Sequence, residues 1–227
     1  MAVRISGLNR VPLFAGLPTE KLNQLEAMTQ RRSFKRGEVV FHKGDPGDTL
    51  YVITQGQVKI VLPSDSGEEA LLGVLDEGEF FGELSLIDEQ PRSATIVATE
   101  QTETLVLRRD EFLKFVVSSP ELAIDMMRVL SRRLRETDEF IEDAIFLDVP
   151  GRLAKKLLEL ANQYGRHTPI GTVISLRMTQ QELATMVGAT RESVNKHLRS
   201  YRSRGILEID RQRIIILRPA ELQRRIY

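Results

Sequence analysis

The sequence predicts an α+β chain: a jelly-roll-like β-roll, then one long helix, then a C-terminal winged helix-turn-helix module. Three observations carry this. Short apolar runs separated by glycine turns fill residues 33–107, apolar residues recur every three or four positions over 120–146, and a capped helix pair followed by a hairpin closes the chain. The expected divisions are a roll over residues 1–119, a helix and hinge over 120–147, and the winged module over 148–227.

The first element is a short helix over 18–28, with Pro18 near its start and Leu22, Leu25 and Met28 as its apolar stripe. Strand runs follow at 38–41, 50–53, 57–61 and 95–97. Turn signals fall between them at Gly37, Gly44-Asp45-Pro46-Gly47-Asp48, Gly56, Ser66-Gly67 and Gly78, the punctuation of a barrel or roll. Helical signal begins near Arg109. In the long helix Met127, Leu130, Leu134, Thr137, Ile141 and Ala144 make a heptad seam, and charged residues from Arg128 to Glu142 cover the remaining surface. That seam predicts a parallel homodimer; packing of the stripe on its own domain is the competing expectation.

Asp148 caps the next helix, which carries Leu153, Leu157, Leu158 and Ala161. A loop over 165–171 and a strand over 173–176 come next. Thr179-Gln180-Gln181-Glu182 fits a capping box, Leu183, Ala184 and Val187 form an inner face, and Gly188 permits a sharp turn. Thr190 caps the second helix of the pair, whose Val194 and Leu198 point inward. Runs at 206–209 and 213–217 flank Asp210-Arg211-Gln212 as a hairpin, the wing.

Composition narrows the function. The formal charge is zero, yet residues 150–227 carry 15 Lys and Arg against 6 Asp and Glu, while residues 1–149 carry 17 against 26. A basic C-terminal module points to a polyanion. The absence of cysteine excludes disulfides, thiolate metal sites, iron–sulfur clusters and thiol catalysis. His42, His167 and His197 are too scattered for a metal triad, so no metal is expected. The N-terminal stretch is broken by Arg4, Asn9, Arg10 and Pro12, unlike a signal peptide, and no apolar run reaches a membrane span. A cytoplasmic protein without membrane partners is expected.

The densest chemistry lies at Phe81-Gly82-Glu83-Leu84-Ser85 and Arg92-Ser93-Ala94, which together read as a sugar-phosphate pocket. Gly82 allows close backbone approach, and a helical turn from Glu83 through Leu84 and Ser85 offers free amides. Arg92 can meet an anion with paired hydrogen bonds and Ser93 adds a hydroxyl donor. Glu83 can accept from a ribose hydroxyl while Arg92 balances its charge. The bland alternative is a glycine turn with an ordinary Glu83–Arg92 ion pair.

With Gly37, Gly44, Gly47, Tyr51 and Gly56, these motifs resemble the cyclic-nucleotide-binding roll of the Crp/Fnr transcription regulators, and the resemblance extends over nearly the whole chain. It implies that Glu83 holds a ribose, Arg92 and Ser93 hold a cyclic phosphate, and Thr137 meets an adenine edge. It also implies that Asp138 of the partner subunit approaches the base. The family's type member has a serine at the position of Asp138. A carboxylate still accepts the adenine amino proton, but it equally accepts from guanine, so cyclic AMP is the expected effector with cyclic GMP, a non-nucleotide effector or effector-free DNA binding as alternatives.

At the second helix of the pair, Arg191 can pair bidentately with guanine and Glu192 can accept from cytosine, with Lys196 one turn on. Thr179, Gln180, Thr190, Arg191, Glu192, Ser193, Lys196 and Arg199 are the candidate DNA contacts. The resemblance implies a palindromic operator with half-sites like TGTGA, and it places RNA polymerase contact in the loop at 165–171. No nucleophile, base or metal stands near Arg92 in the sequence, so binding without turnover is expected and not an enzyme. A purely structural DNA-bending protein would need no effector pocket.

Overall fold

Eight strands of the computed structural model, which describes residues 8, 11–63, 69–176, 178–210 and 213–226, form two four-stranded antiparallel sheets. In chain order they are β1 (Gln30–Phe34), β2 (Val39–Phe41), β3 (Thr49–Gln55), β4 (Val58–Pro63), β5 (Glu69–Leu75), β6 (Phe80–Phe81), β7 (Thr95–Ala98) and β8 (Thr102–Arg108). One sheet has the order β1-β8-β3-β6 and the other β2-β7-β4-β5. The chain therefore changes sheet at every connection except the β4–β5 hairpin, as a jelly roll requires. The Ser66-Gly67 turn expected in that hairpin lies outside the described residues.

β1 begins at Gln30, earlier than the expected start at Ser33. Its only buried side chain is Phe34, and backbone pairing with β8, from Gln30 opposite Val106 to Phe34 opposite Thr102, holds it in place. Strand formation there depends on a distant partner and leaves no alternation to read.

Phe34, Tyr51, Ile53, Val58, Leu75, Phe81, Ile96 and Val106 fill one core of the roll. A second core lies under the helices. It joins Leu22 and Leu25 of α1 (Thr19–Met28), Phe112 and Phe115 of α3 (Arg109–Ser118), and Leu122 and Met126 of α4 (Pro120–Phe146) to Leu50, Leu105 and Leu107 of the strands. The seam positions of the long helix differ in burial. Leu130 packs against its own domain, whereas Met127, Leu134 and Ile141 are more than half exposed at 57%, 62% and 51%.

The turn between β5 and β6 holds a half-buried carboxyl, that of Glu79. The Asp76 N–H donates to Glu79 at 2.8 Å. Burial pushes the Glu79 pKa up, against the downward pull of that hydrogen bond and of Arg133. A carboxyl whose folded pKa lies above its ordinary value of 4.5 adds stability that is complete below that value and is lost as pH rises through the folded pKa. Glu79→Gln is therefore expected to stabilise the protein relative to wild type near pH 7 and to make no difference near pH 4. Urea unfolding at the two pH values checks this, and an identical difference at both would contradict it.

The chain divides after Arg133, inside α4, into two compact units. In the second unit Asp148 caps α5 (Val149–Tyr164) as expected, accepting from the Gly151 N–H at 2.8 Å. The expected loop at 165–171 is instead mostly a hairpin. β9 (Gly165–Thr168) and β10 (Gly171–Ile174) pair across a two-residue turn, and β10 ends before the predicted Leu176. Thr172 and Val173 of β10 also pair with β12 (Arg213–Ile216), the strand after β11 (Leu207–Asp210), giving a sheet ordered β11-β12-β10-β9. A sheet assembled from non-local partners stabilises a polar hairpin that reads locally as loop. Of the wing turn, Arg211 and Gln212 lie outside the described residues.

Candidate functional site

Phosphate-type chemistry needs a positive group held in a fixed place, and Arg92 is held at both ends. Its backbone N–H donates to Asp45 O at 2.9 Å and its carbonyl accepts from the Gly44 N–H at 2.8 Å. Its Nη1 donates to Gly82 O and its Nη2 to Thr49 Oγ1, each at 2.9 Å. The guanidinium also lies 4.2 Å from the Phe41 ring centre, next to the stacked pair of Tyr51 and Phe81. Only 4% of Arg92 is exposed, and burial lowers its pKa despite Tyr51, Asp48, Glu83 and Asp45 nearby. The buried Nε has no partner among the described residues. A native fold rarely leaves a buried charged donor orphaned without reason. An anion would satisfy it, so the residues present fit a phosphate.

Gly82 sets the geometry on one side. Its φ of 85° is left-handed, and a Cβ there would come within 2.5 Å of Arg92 Nη1 and 2.8 Å of Thr49 O, so glycine is required on two counts. From it starts α2 (Glu83–Asp88), which buries Glu83 and Ser85 and leaves Leu84 exposed. The Glu83 carboxylate does not pair with Arg92. Arg133 of α4 donates to it from Nη1 at 2.7 Å and from Nη2 to Phe80 O at 2.7 Å. The charge balance expected from Arg92 is thus supplied by a residue that sequence reasoning counted only among the surface charges of the helix. Its one sequence signal was position, a helical turn before Thr137.

The structure therefore brings Gly82, Glu83, Ser85 and Arg92 together. Ser93 is exposed beside them. Thr137 and Asp138 are exposed on α4 in the second unit. A polar cleft of about 330 Å³, lined by Arg32, Asp45, Asp48, Arg92, Arg108 and Glu111 among others, includes Arg92 but not Gly82, Glu83 or Ser85. It is not the predicted pocket.

The helix pair of the second unit matches its sequence signals closely. α6 (Gln180–Met186) carries the full capping box between Thr179 and Glu182, and Gly188 turns the chain at φ 59°. Thr190 caps α7 (Arg191–Ser203) by accepting from the Ser193 N–H. Val194, Leu198 and Tyr201 are buried, and Tyr201 Oη donates to Pro150 O at 2.8 Å. The opposite face exposes Arg191, Glu192, Lys196 and Arg199, with Ser193 half-buried, and Thr179, Gln180 and Thr190 stand exposed at the two helix starts. A helix whose polar side chains begin at its N-terminal turn suits the major groove.

Residues 31–119 match the cyclic nucleotide-binding domain family, and residues 151–225 match the Crp-like helix-turn-helix domain family. A CRP-like cAMP-activated global transcriptional regulator of Mycobacterium tuberculosis is 37% identical over 218 residues, covering 96% of this chain and 97% of the relative. The chain belongs to the Crp/Fnr family of transcription regulators. The cyclic AMP receptor protein of Thermus thermophilus is 35% identical over 198 residues, 87% of this chain and 88% of that one. Among solved Crp/Fnr structures, the c-di-GMP responsive global regulator CLP of Xanthomonas campestris superposes with a TM-score of 0.78 at 28% identity, over 88% of this chain and 99% of that one. The Crp/Fnr chain described here is accordingly a DNA-binding transcription regulator with a cyclic nucleotide-binding domain, and its relatives are regulators of transcription. Among the described residues, no helix is long and apolar enough to cross a membrane and no three acidic or histidine side chains gather as a metal site.

Proposed function

We propose that this regulator is controlled by cyclic AMP, which binds at Arg92 and Glu83. The buried, unpartnered Nε of Arg92 is the observation that carries the reading. In it, Arg92 and Ser93 take the phosphate with Gly82, Leu84 and Ser85 supplying main-chain contacts, Glu83 takes the ribose hydroxyl, and Thr137 takes the adenine edge. Asp138 of the partner subunit takes the adenine amino group. The exposed apolar seam through Met127, Leu134 and Ile141 supports a homodimer across α4. Two copies of the helix pair then address a palindromic operator in double-stranded DNA, with Arg191, Glu192 and Lys196 reading bases and Thr179, Gln180, Thr190, Ser193 and Arg199 completing the contact. Such a protein works in the cytoplasm beside RNA polymerase, and no step turns the nucleotide over.

Calorimetry with cyclic AMP, cyclic GMP and cyclic di-GMP, followed by an operator shift assay with each, tests the effector. Cyclic AMP is expected to bind and to tighten the operator complex. An effector can do so only by binding one conformation better than the other. Binding of cyclic GMP alone would reassign the base to the acceptor Asp138. Binding of none of the three would sink the effector while leaving the DNA function in place.

A further inference from the structure

α2 carries Glu83 and Ser85 but spans only six residues, too few for its own hydrogen bonds to hold it. Its far end is fixed from outside. Arg109, the first residue of α3, donates Nε to Leu86 O at 2.9 Å and pairs through Nη2 with the Glu89 carboxylate. Glu89 is the left-handed C-cap of α2, at φ 60°, with its N–H returning to Ser85 O at 3.1 Å. A cation there also suits the carbonyl end of a helix.

The same residue holds the opposite wall. The Arg109 backbone N–H donates to Asp48 O at 2.8 Å. Asp48 closes the loop whose Gly47 lies against both Arg92 and Ser85. A Cβ on Gly47 would stand 2.6 Å from Arg92 Nε and 2.8 Å from Ser85 Cβ. The loop, Arg92 and α2 are thus in direct contact, and Arg109 joins two of the three to the start of α3.

We propose that Arg109 is a positioning residue for the nucleotide pocket, setting the placement of Glu83 and Ser85 relative to Arg92. The proposal rests on the pocket reading given above. With side-chain exposures of 33% for Arg109 and 68% for Glu89, the attraction between the two charges is weakened by solvent. The bond from Nε to a main-chain carbonyl is the positioning contact.

Arg109→Met is expected to weaken cyclic AMP binding roughly three- to tenfold, the scale of one partly screened charge-assisted hydrogen bond. Arg109→Lys should fall between, and Glu89→Ala should change little. Comparing the two phosphorothioate diastereomers of cyclic AMP, in which sulfur replaces one or the other exocyclic oxygen, separates positioning from general loosening. Misplacement narrows the ratio of their affinities in Arg109→Met. Unchanged affinity overturns the proposal, and so does an equal loss for both diastereomers with the ratio kept. If wild type binds no nucleotide, the pocket reading fails instead. Amide exchange at residues 86–89 of the ligand-free protein then still decides whether Arg109 holds α2: faster exchange in Arg109→Met is expected, and unchanged exchange refutes it.

Discussion

Arg92→Leu is expected to weaken cyclic AMP binding about a hundredfold or more, since two charge-assisted hydrogen bonds to a phosphate exceed the roughly 2.7 kcal/mol that such a factor requires. The unfolding midpoint of the ligand-free protein should move much less. Leucine forfeits the bonds from Nη1 to Gly82 O and from Nη2 to Thr49 Oγ1 and the contact with Phe41. It also removes a buried charge with an orphaned Nε, and the relief of that desolvation offsets part of the loss. Calorimetry gives the affinity, and operator shifts with and without nucleotide give the consequence. The variant should bind DNA as the ligand-free wild type does, with no response to cyclic AMP. An unchanged nucleotide affinity would remove Arg92 from the site. Arg92→Lys sharpens the test, because an ammonium keeps the charge but cannot span Gly82 O and Thr49 Oγ1 as the planar fork does.

The elements most legible in the sequence are those specified by near neighbours. α4 begins and ends where its three-and-four spacing does, and the caps at Asp148, Thr179 and Thr190 all form, since a cap is written within three or four residues. The roll was legible as a class through its glycine turns, but β1 and the β9–β10 hairpin were not, because each depends on a strand far away in the chain. The pocket shows the same division. Gly82, Glu83 and Arg92 lie close in sequence and announce themselves. Arg133 reaches Glu83 from 50 residues away, Thr49 reaches Arg92 from 43 away, and neither carries a motif. Spacing marked the groups that would touch a ligand better than the groups that hold them.

Arg152→Met should produce the largest loss of stability in the second unit, about 2–3 kcal/mol. One guanidinium on α5 donates to three main-chain oxygens: Nε to Val187 O at 2.7 Å, Nη1 to Leu147 O at 2.7 Å, and Nη2 to Gly188 O at 3.2 Å. The acceptors come from two separate places, the hinge residue before α5 and the turn between α6 and α7. Methionine keeps the apolar stem but leaves those carbonyls without their donor, and the carbonyl of the buried Val187 bears most of that cost. The turn also lies against the helix before the hinge, since a Cβ on Gly188 would lie 3.7 Å from Phe140, and Lys155 of α5 separately bonds Asp143 of that helix at 2.7 Å. These contacts remain in Arg152→Met, so the unit should stay folded at room temperature while its turn opens more often. Amide exchange at Val187, Gly188 and Ala189 should accelerate by roughly thirty- to a hundred-and-fiftyfold, the factor that 2–3 kcal/mol implies if the turn opens as part of the same cooperative unit. Exchange in the β-roll should not change. Because Arg152 fixes the turn on which the start of α7 depends, operator affinity should fall with and without nucleotide alike. A variant that lost only the nucleotide response, with turn exchange as in wild type, would show instead that Arg152 transmits the effector's signal without bracing the DNA-reading helix.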